Sequence, residues 1–379
     1  MARIEGAPAR FEVSLIEETD AAPAKVLVFN YFAGLKSRGI PLYARELETC
    51  FARVGAEHLE LKAPQWLNKA PQWLQNVLFV VFEQVVAPCV ARWNRCDLTV
   101  YPYNSGSLWD ASAGRSVMVI HDLIPNKRAQ RGLAARYIRT CQAWHARLGR
   151  PVATVSRHTQ RQLVRLKQFG RCPQFLWANP FYAFESALRS SAPDDIPERN
   201  RGVHAILLCS GTGANKDFRG ALHLLQQLGD PAQYRIRVLG FGDNLSIAQA
   251  RVDRLPADWR DRVTVLPRLS LAGIVSEFRR CDLTWVHSRS EGFGRPVMEA
   301  RMCGRPVVAT DIGAFRQLRR LKHVHLYRDG SFADAMLAGL ADSEGECPAA
   351  SAGPFNRQLE QEVARLLESA GHAGRSGVR

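Results

Sequence analysis

Two glutamates, Glu291 and Glu299, lie on either side of a glycine turn, and the stretch around them restricts the fold more than any other. Residues 291–310 read EGFGRPVMEARMCGRPVVAT and follow an apolar run, LTWVHS. Pro296 suits the first helical position, and Gly304 suits the residue just past the end of that helix. The pattern predicts strand, turn, helix and strand. This is a βαβ unit whose loop lies at the carboxyl end of a strand, where open α/β sheets bind ligands.

The length and composition predict a two-domain globular protein. The chain has 379 residues, and 46% of them are hydrophobic. Residues 1–24 are rich in charge and lack the apolar core of a signal peptide. The most apolar run, residues 77–86, contains Glu83 and Gln84 and is expected to be too short to cross a bilayer. Nine cysteines without a CxxC pair are typical of a reducing compartment, so we expect a cytoplasmic protein.

The net charge of +15 is compatible with three kinds of partner, namely nucleic acid, an anionic membrane surface and phosphorylated ligands. A generally Arg- and Ala-rich composition explains it equally well. Residues 127–150 contain seven Lys or Arg and no acid, with a helical period. They predict either a solvated basic face or a surface for anionic head groups or a diphosphate acceptor. Residues 316–328 are also basic and are expected to form solvated surface.

A near-repeat, APQWLNKAPQWLQN, covers residues 63–76 and places Trp66 and Trp73 seven residues apart. In a single helix, the two indoles would share nearly one face. They would then either pack on the domain or anchor the protein at a membrane interface.

Hydrophobic periodicity divides the first half into strands and helices. Apolar runs bounded by polar residues predict buried strands at residues 25–30, 97–103 and 116–120. A loop containing Gly39 precedes a helix-period segment, and such a loop either turns the chain or cradles a phosphate. His121 and Asp122 follow the third strand. A histidine there is either a structural hydrogen-bonding group or part of a ligand site.

The five residues RCDLT occur twice, at 95–99 and at 280–284, each time before an apolar run and a polar loop. This repetition indicates two similar α/β halves. The predicted organisation is a tail at 1–24, a first domain at 25–180, a linker at 181–202, a second domain at 203–345, and a carboxyl-terminal helix and tail at 346–379.

The second half opens with a predicted strand, residues 205–209, and a loop that reads SGTGANK and ends at Lys216. Backbone N–H groups in a strand-to-helix turn of small residues point outward, and the lysine adds positive charge. The amides of Gly211 and Gly213, together with Lys216, therefore suit a diphosphate. The loop is not a P-loop, because GxxxxGK[ST] is absent.

At this point the chain resembles a known family. Residues 288–315, SRSEGFGRPVMEARMCGRPVVATDIGAF, are similar to the donor-site stretch of retaining glycosyltransferases of the GT-B fold, family GT4. The diagnostic feature of that family is two glutamates separated by seven residues. Further family-like segments are RGIPLYARELE (38–48), VIHDLIP (119–125), TVSRHT (154–159) and SGTGANKDF (210–218). The resemblance covers nearly the whole chain and implies an α/β fold of two Rossmann-like domains facing each other across a cleft.

The resemblance also implies roles for individual residues. It assigns Glu291 to the donor sugar and Glu299 to the ribose, and it places His121 against the sugar from the first domain. The local alternative for Glu299 is an acid that favours the first turn of a helix. The expected catalytic residues are His121, Glu291 and Lys216. Donor contacts are expected from Gly211, Gly213, Lys216, Phe293, Gly294, Arg295 and Glu299, and an acceptor or phosphate loop from Gly39, Tyr103, Asn104 and Asp122.

The leading hypothesis is a retaining glycosyltransferase that uses GDP-mannose or a UDP-hexose. No DxD-type metal motif is found, so we expect no metal and no cofactor. The expected acceptor is a glycan or polyprenyl-diphosphate-linked glycan of cell-surface polysaccharide or lipopolysaccharide, at the inner face of the membrane. A second hypothesis is a nucleotide-sugar epimerase or phosphorylase of the same fold. A third, a basic nucleic-acid-binding protein, has only the charge in its favour, and we expect no nucleic-acid partner.

Overall fold

A computed structural model describes residues 23–34, 39–109, 116–123, 132–191, 202–242 and 244–376. Two six-stranded sheets form the protein, and every strand pairing in them is parallel. The first sheet has the strand order β2-β1-β3-β4-β5-β6, and the second has the order β12-β11-β10-β7-β8-β9. The prediction of two Rossmann-like α/β halves is confirmed.

The strands are β1 (Lys25–Phe29), β2 (Glu57–Leu61), β3 (Leu98–Tyr101), β4 (Ser116–Ile120), β5 (Val152–Thr154), β6 (Gln174–Leu176), β7 (His204–Cys209), β8 (Tyr234–Leu239), β9 (Val263–Val265), β10 (Leu283–Val286), β11 (Val307–Thr310) and β12 (Val324–Tyr327). The helices are α1 (Ile40–Arg53), α2 (Gln72–Val81), α3 (Ala87–Trp93), α4 (Leu133–Arg147), α5 (Arg157–Val164), α6 (Tyr182–Ser190), α7 (Phe218–Leu224), α8 (Leu245–Val252), α9 (Ala257–Arg260), α10 (Leu271–Arg280), α11 (Arg295–Met302), α12 (Gly313–Arg316), α13 (Phe332–Glu344) and α14 (Gly353–Ser376).

The central strands are continuous apolar runs because helices cover both faces of each parallel sheet. All five residues of β4 and all four of β3 and β10 are buried. Parallel strands place their carboxyl ends at one edge, so the loops that follow β1, β4, β7 and β10 gather between the two sheets. This arrangement creates the interdomain site.

The repeated RCDLT segments occupy equivalent places in the two sheets. The carboxylate of Asp97 accepts a hydrogen bond from the backbone N–H of Lys25, which begins β1, at 3.0 Å. The carboxylate of Asp282 accepts one from Ala205, at the start of β7, at 2.8 Å. Each aspartate therefore fixes the start of the neighbouring parallel strand, as expected for two similar halves.

The predicted linker begins with a helix. α6 covers most of residues 181–191, and residues 192–201 lie outside the described part of the chain. Phe184 is buried with its ring 6.0 Å from that of Phe278 on α10, so α6 packs against the second domain. The helix was not predicted because the surrounding sequence is polar. Its apolar residues become buried only when the second domain packs against them.

The carboxyl-terminal helix returns to the first domain and is not an appendage of the second. α14 packs against α1 and β6, with Leu359, Val363 and Leu366 buried. The side chain of Asn356 accepts a hydrogen bond from the backbone N–H of Phe181 at 2.9 Å. The two halves are thus joined twice, by the connection after residue 181 and by α14.

Residues 72–93 form one continuous helical rod, in which a π-helical turn, Phe82–Val86, joins α2 to α3. The rod has 22 residues. Its most apolar 18-residue window has a mean hydropathy of 1.6, and 17% of that window is buried in the protein. By length and composition it could cross a membrane, so the expectation that this apolar run is too short was wrong. The polar pair in its middle interrupts the sequence pattern without interrupting the helix.

The tryptophan repeat also differs from the single-helix interpretation. Trp66 lies in a 3₁₀ turn, Gln65–Lys69, and Trp73 lies in α2. Both side chains are exposed, by 62% and 65%, so they do not pack on the domain. The Pro71 between them ends the first turn and begins the second helix.

The π-helical turn places Glu83 inside the first domain, fully buried. The hydroxyl of Ser105 donates to its Oε1 at 2.7 Å, and the hydroxyl of Tyr137 donates to its Oε2. Burial raises the pKa of Glu83 to about 7, although the hydrogen bonds from Tyr137 and Ser105 oppose this. Tyr137 belongs to the segment 127–150 that was predicted as a basic surface, but its hydroxyl binds a buried carboxylate inside the first domain.

Glu83→Gln is expected to change the pH dependence of the unfolding free energy. The folded-state pKa lies above that of an unfolded glutamate, so the stability that Glu83 contributes at low pH is lost as the pH rises towards about 7. Glutamine removes this titration, so the stability of the variant relative to wild type should improve between pH 5 and pH 8. Urea unfolding at both pH values measures the difference, with the exposed Glu57→Gln as the control. An identical difference at both pH values would contradict the assignment.

Candidate functional site

A cavity of about 390 Å³ lies between the carboxyl edges of the two sheets. The first domain contributes the start of α1 and the residues after β4, and the second contributes the loops after β7 and β10 and the start of α11. Nine predicted site residues line this cavity: Gly39, His121, Asp122, Lys216, Glu291, Phe293, Gly294, Arg295 and Glu299.

Lys216 and Glu291 meet in the second-domain wall of the cavity. The Lys216 Nζ donates to the Glu291 Oε1 at 2.5 Å, and the Ser288 hydroxyl donates to the same oxygen at 2.8 Å. The side chain of Asn215 donates to the carbonyl of Ser290 at 3.1 Å and so fixes the lysine loop against the glutamate loop. An ammonium group carries three N–H donors, so Lys216 has donors left for an anionic ligand while Glu291 holds it in place.

His121 faces this pair from the first domain. Its backbone N–H donates to the Asn104 Oδ1 at 2.6 Å, and its ring lies edge-on to Tyr43 with the centroids 4.7 Å apart. Burial lowers the pKa of His121 to about 4, although a hydrogen bond with the Pro102 carbonyl opposes this. The ring is therefore neutral near pH 7. Its buried Nε2 has no hydrogen-bond partner among the described residues, so this atom is available to a ligand hydroxyl.

Gly292, which follows Glu291 in the same loop, makes a close interdomain contact that was not predicted. A Cβ atom at this position would lie 2.0 Å from the carbonyl oxygen of His121. The Ser156 hydroxyl donates to the Gly292 carbonyl at 2.6 Å, and the Thr159 hydroxyl donates to the His121 carbonyl at 3.0 Å. Ser156 also caps α5, because its hydroxyl oxygen accepts a hydrogen bond from the Thr159 N–H. This contact forms only when the two domains meet, so neither half of the sequence predicts it.

Arg295 lines the cavity and also makes contacts between the two domains, which were not predicted. Its guanidinium donates to the Pro180 carbonyl at 2.7 Å, to Glu46 of α1 at 3.2 Å and to Glu299 at 3.3 Å. Burial raises the pKa of Glu46 to about 7, against the opposing charge of Arg295. Arg295 therefore bridges the domains at the edge of the cavity. The sequence did not reveal Glu46 as its partner, because the two residues are far apart along the chain.

Glu299 lies in the first turns of α11, lines the cavity and is 2% exposed. Gly294 precedes this helix with a φ of 98°, a left-handed conformation that favours glycine. A Cβ there would lie 2.5 Å from the ring of Phe315, so the close approach is to this ring. Gly294 also lines the cavity, and its predicted donor contact stays a prediction.

Four predicted residues do not line the cavity, and two of them support it from behind. Asn104 is buried, holds the His121 N–H, and has a positive φ of 61°. The Tyr103 hydroxyl donates to Asn30 at 3.0 Å inside the first domain. Gly211 and Gly213 belong to the loop that carries Lys216, and the Gly213 carbonyl accepts from the Lys216 N–H at 2.8 Å. These residues position the cavity wall and do not form its surface.

The described residues contain no group of three or more His, Cys, Asp or Glu that could hold a metal ion. The cavity combines one lysine, one arginine, the start of α11, three carboxylates and a neutral histidine. A lysine beside a helix start suits a phosphate group, and carboxylates suit sugar hydroxyls. The arrangement therefore suits a ligand that joins phosphate to sugar.

Comparisons with known proteins agree with this chemistry. Residues 204–342 match the family model described as Glycosyl transferases group 1. A D-inositol 3-phosphate glycosyltransferase of Mycolicibacterium smegmatis is 49% identical over 53 residues, which are 14% of this chain and 12% of that protein. The one of Rhodococcus opacus is 34% identical over 118 residues, 30% of this chain and 26% of that protein. The matches thus span about a quarter or less of these relatives' length.

The solved structures show likeness over nearly the whole chain. Anabaena HepE in complex with UDP and glucose has a TM-score of 0.60 and 17% identity, covering 90% of this chain and 100% of that chain. WaaG, a glycosyltransferase involved in lipopolysaccharide biosynthesis, has a TM-score of 0.62 and 12% identity, covering 91% of this chain and 95% of that chain. At such identities the likeness shows the fold, which is the two-domain GT-B architecture.

Proposed function

We propose that this chain, whose residues 204–342 match the family model Glycosyl transferases group 1, transfers a hexose from a nucleotide-diphosphate sugar to a glycan or lipid-linked acceptor. The observation that carries the proposal is the Lys216–Glu291 pair facing the unpartnered Nε2 of His121 across one cavity. The pair lies at the carboxyl edge of the second sheet and His121 at that of the first, where α/β folds bind ligands.

Each residue serves one part of the donor. Lys216 and the start of α11 stabilise the charge that grows on the diphosphate as it leaves. Glu291 orients Lys216 and a sugar hydroxyl, while Glu299 accepts hydrogen bonds from the ribose. The neutral His121 offers its Nε2 to a sugar hydroxyl and is not a general base.

The transfer breaks the bond between the anomeric carbon and the β-phosphate oxygen, and it forms a bond from that carbon to the acceptor oxygen. The proton of the acceptor hydroxyl passes to an oxygen of the leaving diphosphate. Attack on the face that the diphosphate leaves retains the anomeric configuration. We propose that Lys216 and the positive end of the α11 dipole supply the charge stabilisation that Mg²⁺ supplies elsewhere, so the reaction requires no metal.

The donor is proposed to be GDP-mannose or a UDP-hexose, and the HepE complexes with UDP and UDP-glucose favour testing UDP-hexoses first. The purified chain is incubated with each donor and a lipid-linked glycan extract, with and without EDTA. The anomeric proton of the product is then examined by NMR. Transfer with retention in EDTA supports the proposal. Release of nucleotide with a changed sugar and no acceptor would favour an epimerase.

We further propose that the protein works at the cytoplasmic face of a membrane. Nine free cysteines support a reducing compartment. The rod of residues 72–93 presents six exposed, uncharged side chains four residues apart: Trp73, Val77, Val81, Val85, Cys89 and Trp93. We call these six residues the exposed stripe. Exposed apolar surface of this extent marks an interaction site, and tryptophans favour membrane interfaces.

The packing of the rod favours a helix lying along the membrane over one crossing it. Phe79, on the opposite side of the rod from the exposed stripe, packs its ring 5.6 Å from that of Phe29 on β1. Glu83 is hydrogen-bonded inside the first domain. The basic surface near residues 127–150 is smaller than predicted, because Arg150 is buried and donates to the Ser107 carbonyl at 3.1 Å. Residues 124–131 lie outside the described part.

Replacing Trp73 and Trp93 together with alanine is expected to reduce vesicle binding about tenfold or more, because burial of a large apolar side chain contributes about 1.5–3 kcal/mol. Flotation with phosphatidylglycerol and phosphatidylcholine vesicles measures binding and its electrostatic part. Ile247→Ala with Leu337→Ala is the matched control, since both side chains are exposed on the second domain. Equal binding by the two double variants would remove the exposed stripe from the membrane contact.

A further inference from the structure

We call the cavity that contains Lys216, Glu291 and His121 the donor cavity. A second cavity lies at the domain boundary between α5 and α12. Its volume is about 520 Å³, a size typical of small-molecule sites. Phe293 contributes to the walls of both cavities, so the segment after Glu291 separates them. Apart from Phe293, no predicted site residue lines the second cavity, and the proposed reaction does not use it.

The wall of this cavity is strongly cationic. It carries five arginines and no Asp or Glu: Arg157, Arg161, Arg165, Arg316 and Arg320. Three of them follow one another at four-residue spacing on α5 and its end, about 6 Å apart along the helix axis. The other two, also four residues apart, face them from the second domain.

These arginines are largely uncompensated by acids. Arg316 pairs with Asp311 at 2.6 Å, and Arg320 lies 5.7 Å from the centroid of the Phe355 ring. Within the described ranges, Arg157, Arg161 and Arg165 make no ion pair. Guanidinium groups with open donors are the preferred partners of phosphate.

An independent feature of the same wall indicates a missing acceptor. The side-chain oxygen of Gln317 accepts a hydrogen bond from the backbone N–H of His158 at 3.3 Å. The Nε2 of Gln317 is buried and has no partner among the described residues. Burial lowers the pKa of His158, and the nearby Arg161, Arg165 and Arg316 lower it further, in agreement with a positive potential.

We infer that this cavity binds a ligand with two or more phosphate groups, held between the α5 arginines of the first domain and Arg316 and Arg320 of the second. Such a ligand bridges the two domains. Ser156 and Thr159, at the start of α5, contact Gly292 and His121, so a ligand held there stabilises the contact between the two walls of the donor cavity. The inference requires binding alone and does not depend on the identity of the reaction.

Inorganic pyrophosphate is the probe, titrated calorimetrically into the full-length Lys216→Ala variant so that binding in the donor cavity is weakened. Arg161→Gln combined with Arg320→Gln is expected to weaken pyrophosphate binding at least tenfold. The matched control is Arg171→Gln with Arg254→Gln, which changes one exposed arginine in each domain outside the cavity. All four positions are exposed, so the variants should fold, and melting temperatures verify this.

The source of the phosphate is decided by a second arm with phosphatidate vesicles. Pyrophosphate binding that needs Arg161 and Arg320 indicates a soluble ligand. Vesicle binding that needs them, and that pyrophosphate displaces, indicates a lipid head group. Equal losses in the cavity pair and the control pair would assign binding to general positive charge and overturn the inference, as would the absence of binding in both arms.

Discussion

Lys216→Ala is expected to lower kcat for sugar transfer by a factor on the order of 10²–10³, the usual effect of removing a group that stabilises charge in the transition state. The ammonium of Lys216 is held 2.5 Å from Glu291 in the cavity wall and faces the position proposed for the diphosphate. The negative charge on the diphosphate grows as the glycosidic bond breaks, so kcat should fall more than donor affinity. Initial rates at saturating donor, with donor affinity measured separately, give the two quantities.

Lys322→Ala is the matched control, because Lys322 is an exposed lysine of the same domain outside the cavity. Glu291→Gln should also reduce kcat, since a neutral amide holds Lys216 less firmly. If the two act as a unit, the double variant will lose less than the product of the single losses. A Lys216→Ala enzyme with the kcat of the control would remove the lysine from the catalytic residues.

Gly292→Ala is expected to reduce kcat by about 10²-fold or more while leaving nucleotide affinity nearly unchanged. The added methyl would lie 2.0 Å from the His121 carbonyl, so the two walls of the cavity must move apart. Displacement of a reacting geometry by about 1 Å typically costs about 10²-fold in rate. The nucleotide itself is proposed to contact only the second domain, so its affinity should survive.

Calorimetry with UDP and GDP, together with transfer rates, tests this separation. Gly229→Ala is the control, because a Cβ at that position meets no atom within 4 Å. A loss of nucleotide binding in Gly292→Ala equal to the loss of kcat would mean that the glycine shapes the nucleotide site itself. Unchanged kcat would show that the domains meet differently in the working enzyme.

The strand-and-loop framework was predictable because parallel strands buried on both faces are continuous apolar runs. The predicted strand at 116–120 agrees with β4 to the residue, and the helix after Gly39 agrees with α1. β2, with the sequence EHLEL, was missed because it is an edge strand with two exposed residues and two glutamates. α14 could be recognised as a helix, but its return to the first domain depends on surfaces that the sequence does not show as neighbours.

The candidate site also contains residues that the sequence could predict and residues that it could not. Lys216 and Glu291 each lie in a strand-to-helix loop, so the sequence could predict that they line one site, while their chemical roles stay predictions. Residues that act across the boundary could not, since Glu46 and Arg295 meet only when the two sheets face each other. Residues 316–328 were expected to form solvated surface. In the structure this segment contains the strand β12, and its Arg316 and Arg320 line the second cavity.

The π-helical turn at Phe82–Val86 has a consequence for how the rod of residues 72–93 is wound. Side chains four apart in a regular α-helix rotate by about 40° at each step, so the 20 residues from Trp73 to Trp93 would accumulate about 200°. The two indoles would then lie on opposite sides. A π turn winds more slowly and takes back part of this rotation. The π turn thus brings the side chains of Trp73 and Trp93 closer to the same side of the rod. Glu83, within this turn, stays buried in the first domain.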